Sequence, residues 1–245
     1  MQITTAVSGT RNEEFTLRQH ALSDLVGSYT FTQTVFYAVT GKQPDDAQTA
    51  VFDALLVASI DHGANPATGF VPRVVAASGT STTQALAAGL LTIGDNHGGA
   101  VEAGMRMFST LADKSDAEIA EYVAQKRQLH ERLPGFGHRK YTTVDPRSEQ
   151  LMQLAARHGL SGRFVAVARQ VETQLEIVMG RHLVLNIDGT MAALLLELGF
   201  PAESGNGIFA LARLGGMLAH VTEERLQHQG IYRLEDSEVT FGGSE

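Results

Sequence analysis

The chain of 245 residues contains no cysteine. Disulfides, thiolate nucleophiles and cysteine-held zinc are therefore excluded. No apolar run approaches the roughly 18–20 residues that a membrane span requires. The opening Met1-Gln2-Ile3-Thr4-Thr5 lacks a basic segment followed by an apolar one, so no secretory signal is expected and a cytoplasmic protein is. Cations are the minority: 19 Lys plus Arg stand against 27 Asp plus Glu, a net charge of −8. That balance argues against broad nucleic-acid binding and leaves local anion pockets open. A GxxxxGK[ST] phosphate loop is absent, as is GxGxxG after a strand, so self-contained ATP chemistry is not expected.

What remains is 43% apolar and 19% charged, the composition of a globular chain long enough to bury a substantial core. The dominant period is helical. After Asp45-Asp46, Val51, Phe52, Leu55 and Leu56 share one face of a helix running from Ala47 to Ile60. Ser115 and Glu118 form a capping-box pattern ahead of Ile119, Tyr122, Val123 and Leu129. Gln150–Arg157 reads as a short helix stopped by Gly159. Phe164, Val167, Ala168, Val171, Leu175 and Val178 recur at helical spacing up to Gly180. Met191, Leu194, Leu195 and Leu198 do the same before Gly199, and Asn206–Leu226 opens apolar and ends charged. Ala85–Ile93 is apolar on most sides, as suits a helix buried between others. Leu183-Val184-Leu185 and Glu238–Phe241 are the strand candidates. The expected class is all-α, without internal repeats and with subdivision only at glycines.

Chemistry-bearing residues gather in glycine-rich stretches. His62 lies in Asp61-His62-Gly63-Ala64-Asn65, His97 in Gly94-Asp95-Asn96-His97-Gly98-Gly99, and His138 in Pro134-Gly135-Phe136-Gly137-His138. A histidine flanked by glycine can approach a ligand closely and exchange protons near neutral pH; it can equally be a turn residue. Asp145-Pro146-Arg147 follows, then Asn186-Ile187-Asp188-Gly189, where Asp188 is either a reactive acid or a helix cap. Arg213 interrupts the apolar Ala210–Leu214, which calls for an anion, an internal salt bridge or an edge position. Arg139 and Lys140 follow His138 as an anion site or a solvated turn. A metal site built from His62, His97 and His138 is a competing reading. The nine histidines, however, contain no HExxH and no i,i+4 pair within one helix, and no metal is expected.

In this order the segments resemble the citrate synthase superfamily, from about Leu25 to Arg233. The resemblance implies a citrate synthase-like helical fold with a large domain (1–98 plus 197–245) and a small CoA-contacting domain (99–196). Closure between the two is implied, with Gly98-Gly99 and Gly199 as candidate hinges. It implies His97, His138 and Asp188 as catalytic residues. His62, Arg147, Arg213 and Arg233 would bind substrate carboxylates, and Arg139 and Lys140 would bind CoA. In the family the residue matching Arg233 reaches across a dimer, so a homodimer or higher homo-oligomer is implied.

The chain lacks most N-terminal helices of full-length synthases and is similar instead to the compact citryl-CoA lyase and ATP-citrate lyase C-terminal module. Leu91–Asp95, Asn206–Phe209 and Gln229–Arg233 carry that likeness. His97 departs from it, because some ATP-citrate lyase modules have no histidine there. The implied activity is cleavage of citryl-CoA to acetyl-CoA and oxaloacetate, with a CoA thioester as substrate and no tightly bound cofactor, nucleic acid or membrane partner. A base, His138 by resemblance, would accept the hydroxyl proton. His97 would hydrogen-bond the thioester oxygen, and Asp188 would return a proton to carbon. Citrate would be activated by a separate enzyme. The alternatives are a citrate or 2-methylcitrate synthase, or a non-catalytic subunit of a larger lyase complex.

Overall fold

The structure, a computed structural model, describes residues 2–94, 97–227, 230–240 and 242. Packing divides the chain into two compact units, Met1–Ser59 with Gly98–Phe209, and Ile60–His97 with Ala210–Glu245.

The first unit opens with an antiparallel meander of β1 (Ser8–Arg11), β2 (Glu14–Leu17) and β3 (His20–Ala21), in the order β1-β2-β3. Arg11 pairs with Glu14, and Asn12 and Glu13 turn the hairpin with φ of 51° and 67°. Both central residues are thus left-handed, as a two-residue hairpin turn requires. A short α1 (Leu22–Leu25) precedes α2 (Phe31–Thr40) and α3 (Asp46–Ser59). Phe36, Phe52 and Phe200 join the last two helices to the Phe200 loop, with ring centroids 4.8–5.8 Å apart.

The unit continues through α6 (Ala100–Leu111), α7 (Asp116–Gln128), α8 (Pro146–Arg157), α9 (Arg163–Met179) and α10 (Ile187–Glu197). Helix α10 is the centre. From Met191 to Leu195 every residue is buried, and α3, α6, α8 and α9 pack around it. A helix apolar all round belongs in such a position. The capping box at Ser115 is present, with Glu118 N–H donating to Ser115 Oγ and Ser115 N–H to the Glu118 carboxylate. Gly180 ends α9 in the left-handed conformation, at φ 64°.

The second unit contains α4 (Ala67–Ala77) and α5 (Thr82–Leu90), packed on each other, and the larger part of α11 (Gly205–Gln227). Ala76, Ala85 and Val221 form its core with Val75 and Leu86. Residues 230–235, neither helix nor strand, lead to a 3-10 turn at Asp236–Glu238. Short 3-10 turn Ala202–Ser204 lies at the end of the first unit's sequence. No helix among the described residues is long and apolar enough to cross a membrane.

Two strand expectations fail. Leu185 makes an isolated bridge to Phe136, and the run stops there because Leu185 N–H donates to Glu172 Oε1 (2.7 Å) and Asn186 N–H to Gly135 O (3.0 Å). Of Glu238–Phe241, Glu238 belongs to the 3-10 turn and Phe241 lies outside the described residues. The packing units also differ from the expected large and small domains, because residues 1–59 pack with the central segment through α3 against α8 and α10.

Candidate active site

Within the first unit, the loop carrying His138 is laid across the start of α10. Gly137 N–H donates to Val184 O at 2.8 Å, and Asn186 Nδ2 donates to Gly137 O at 2.8 Å. The same Asn186 caps α10, its Oδ1 accepting from Asp188 N–H (3.0 Å) and Gly189 N–H (3.2 Å). Asp188 is therefore not the cap, and its carboxylate is spared that duty, half-buried in the first helical turn. Two glycines permit the approach. A Cβ on Gly189 would lie 2.5 Å from Gly135 O, and one on Gly135 2.5 Å from Gly189 Cα. Phe136 secures the loop from the other side, edge-on to Phe108 of α6 with centroids 6.2 Å apart.

His138 is held in one protonation pattern. Its Nδ1 accepts from the backbone N–H of Lys140 (3.0 Å) and of Tyr141 (3.1 Å), and the ring stacks on Tyr141. Amide N–H groups only donate, so the neutral imidazole carries its hydrogen on Nε2. In this neutral form His138 offers a donor at Nε2. Burial pushes its pKa below the ordinary 6.5; Asp145 opposes this, while Arg147 and Lys140 reinforce it.

Asp145 is completely buried and caps α8, accepting from Arg147 N–H at 3.1 Å. It also grips the Arg147 guanidinium in a fork, Nε to Oδ1 at 3.1 Å and Nη2 to Oδ2 at 2.8 Å. Burial alone would raise the Asp145 pKa, but the hydrogen bonds and charge of Arg147, with His138, hold it below the usual value. The Nε edge of Arg147 is committed to this pair.

Beside His138 opens a cavity of 590 Å³ whose wall includes Lys126, Arg127, Arg132, Arg139 and Arg181. Arg139 lines it, whereas the Lys140 ammonium lies over the Tyr141 ring, 5.6 Å from the centroid.

The remaining expected residues belong to the second unit. His97 and Gly94 exchange backbone hydrogen bonds at 2.8 Å each; Asp95 and Asn96 between them, like Gln229, lie outside the described residues. The His97 Nε2 is 3.0 Å from the hydroxyl of Thr68, which is 1% exposed. Burial lowers the His97 pKa, and the positive charge of Arg213, itself 4% exposed, lowers it further. His62 sits in an exposed turn where the Asp61 carboxylate accepts Gly63 N–H at 2.9 Å. Arg233 is exposed, within the irregular residues 230–235. Two residues outside the expected set contact candidate residues: Asp145 holds Arg147 in the first unit, and Thr68 faces His97 in the second. Asp145 stood in a motif already singled out, whereas a lone threonine at a helix start gives no sequence signal. Among the described residues, no group of three or more His, Asp or Glu is placed to hold a metal ion.

The depressed histidines have a measurable consequence. Below pH 6.5 the unfolded chain binds protons that folded His97 and His138 still refuse, so stability is full above that pH. Stability then falls as pH drops from 6.5 toward the folded-state values. Urea unfolding between pH 7.5 and 5 is expected to show this loss, and His97→Gln should remove part of the slope. An unchanged slope in the variant would mean that His97 titrates normally.

A mainly helical chain with a glycine-bound histidine loop over an aspartate-bearing helix start has the citrate synthase-like fold. The chain belongs to the citrate synthase C-terminal domain family, whose sequence profile matches residues 3–235. It superposes on a citryl-CoA lyase from Hydrogenobacter thermophilus with a TM-score of 0.93 at 33% identity, over 99% of this chain and 95% of that one. The ATP citrate lyase of Methanothrix soehngenii, solved with citrate and coenzyme A, gives a TM-score of 0.89 at 22% identity. It is matched over 100% of this chain and 42% of its own, and shows likeness of fold. A citrate synthase from Haloferax volcanii is 32% identical over 190 residues, 77% of this chain and 50% of that one. The chain thus spans about half the length of the citrate synthases it matches.

Proposed function

We propose that this protein is a citryl-CoA lyase, cleaving citryl-CoA to acetyl-CoA and oxaloacetate. What carries the reading is the loop-on-helix arrangement at Gly135 and Gly189, which joins the His138 and Asp188 segments by backbone contact. Support for lyase over synthase comes from the superposition on the citryl-CoA lyase, with a TM-score of 0.93 at 33% identity.

In the cleavage direction the bond between the substrate's carbinol carbon and the thioester's methylene carbon breaks. Its electron pair passes into the thioester as an enolate, and the carbinol oxygen becomes the ketone of oxaloacetate. The hydroxyl proton leaves to water as the bond breaks, and the Nε2–H of His138 donates to the carbinol oxygen while it is alkoxide-like. His97 hydrogen-bonds the thioester oxygen as it gains charge. Preorganised donors aimed at developing charge cost no reorganisation during the step. The Asp188 carboxyl returns a proton to the methylene carbon, giving the acetyl methyl group. Condensation is the same path reversed, with Asp188 as base.

Arg147, Arg213, Arg233 and His62 bind the carboxylates, guanidinium forks fixing orientation as well as charge. CoA lies along the part of the chain carrying Arg139 and Lys140, and the cationic wall beside His138 suits its phosphates. On this reading residues 99–196 form the CoA-contacting domain, the protein is a cytoplasmic dimer in which Arg233 serves the partner's site, and a separate enzyme activates citrate.

The test offers citryl-CoA in one assay and oxaloacetate with acetyl-CoA or propionyl-CoA in another. Equal amounts of oxaloacetate and acetyl-CoA from the first, with little free CoA from the second, are expected. Rapid CoA release from the second and poor cleavage in the first would make it a synthase.

A further inference from the structure

Two of the proposed substrate-binding residues, His62 and Arg233, are far apart in sequence and both exposed, yet each adjoins a residue tied into one buried cluster of the second unit. The centre of the cluster is Arg73 on α4. Its Nη2 lies 2.9 Å from Oε2 of Glu224, whose side chain is 1% exposed, and its Nη1 donates to Glu223. The Arg73 pKa is raised, chiefly by the hydrogen bond to Glu223 and, against the cost of burial, by Tyr232 and Glu224.

One arm leads to Arg233. The Tyr232 hydroxyl donates to Glu224 Oε2 at 2.8 Å, and the Tyr232 ring packs edge-on against Phe70 with centroids 5.7 Å apart. Its neighbours are more exposed, Ile231 at 63% and Leu234 at 71% against 37% for Tyr232. Tyr232 is therefore the anchor of this stretch.

The other arm leads to His62. His220 Nδ1 faces Arg73 Nη1 at 3.5 Å, and a guanidinium only donates, so the His220 hydrogen sits on Nε2. That Nε2–H donates to Asp61 Oδ1 at 3.0 Å, and Asp61 Oδ2 closes the turn around His62 on Gly63 N–H. Burial tends to raise the Asp61 pKa, but the Gly63, His220 and His62 hydrogen bonds bring it below the ordinary value. Helix α11 approaches this turn closely enough that a Cβ on Gly216 would lie 3.1 Å from Asp61 Cβ.

We infer that Arg73, Glu224 and His220 form a positioning hub that fixes two substrate-contacting residues, Arg233 through Tyr232 and His62 through Asp61. The inference rests on the proposed lyase reading for what those two residues bind. None of the hub residues touches substrate; the hub reduces the entropy lost in ordering the two contacts when the substrate arrives.

Removing Arg73 or Glu224 would strand a buried charge and threaten folding. The test therefore uses Tyr232→Phe, which deletes one hydroxyl and keeps the ring on Phe70. Expected are a KM for citryl-CoA raised about tenfold, the size of one lost charge-assisted hydrogen bond, with kcat and thermal midpoint unchanged. Faster hydrogen exchange over 230–235 should accompany it. His220→Ala is expected to raise KM similarly, and His220→Gln, which can still donate to Asp61, to restore it. An active wild type whose Tyr232→Phe variant keeps its KM would overturn this inference and leave the lyase reading standing. A fall in kcat with KM intact, or failure of His220→Gln to rescue, would also overturn it. A wild type inactive on every acyl-CoA mixture would overturn both.

Discussion

Asp188→Asn is expected to lower kcat for citryl-CoA cleavage by about a thousandfold, within the range a positioned acid–base group supplies. The thermal midpoint should not move. Helix α10 is capped by Asn186, whose Oδ1 holds the N–H groups of residues 188 and 189, so the substitution removes no cap. An amide also matches the carboxylate in shape. It cannot exchange a proton with carbon, however, so deuterium exchange at the acetyl-CoA methyl group should be lost in parallel with cleavage. Turnover equal to wild type would take Asp188 out of the mechanism altogether.

Gly189→Ala should damage the molecule from the same place by another route. Its Cβ would stand 2.5 Å from Gly135 O and 2.6 Å from Leu185 Cδ1. A leucine can rotate away, but the Gly135 carbonyl is backbone and also accepts Asn186 N–H at 3.0 Å. Relieving the clash requires lifting the His138 loop from α10. A destabilisation of about 3 kcal/mol is expected, the upper end of what overpacking costs, together with loss of activity in whatever fraction folds. Gly207→Ala is the control. No atom lies within 4 Å of a Cβ there, and the residue is inside α11. A gain of up to about 1 kcal/mol from helix propensity is expected. Chemical denaturation of the two variants side by side gives the comparison, and equal midpoints would mean that the Gly135–Gly189 contact is not tight.

The helices with strong apolar periods were legible. Those of α3, α7 and α9 fall within a residue or two of the expected limits, because cap, period and stop agree in each. Helix α8 begins at Pro146, ahead of the expected Gln150, since its first turn carries Arg147 and Glu149 instead of apolar residues. Helix α4 was hidden by its internal Pro72, which is buried and packs where Gly89 leaves room. The meander before residue 22 was illegible for a physical reason. Its strands are short and largely exposed, so they carry little alternation, and its Asn12-Glu13 turn lacks the glycine that marks most hairpins.

At the candidate site the sequence named the segments but not their bonding. That Asn186 rather than Asp188 caps α10, and that His138 offers Nε2–H, follow from contacts between residues about fifty positions apart or from loop conformation. Neither is written in any local pattern. The charge partner of Arg147 was visible, two residues before it, whereas the Thr68 hydroxyl beside His97 was not.

The most direct test is a crystal structure of this protein with oxaloacetate and a non-reactive CoA thioether bound together. The expected result places the thioether methylene about 3–3.5 Å from the Asp188 carboxylate, the separation of a reactive arrangement. His138 Nε2 should donate to the ketone oxygen, and Arg147 and Arg213 should hold the oxaloacetate carboxylates. Ligands bound away from Asp188 and His138 would contradict the lyase mechanism at its root.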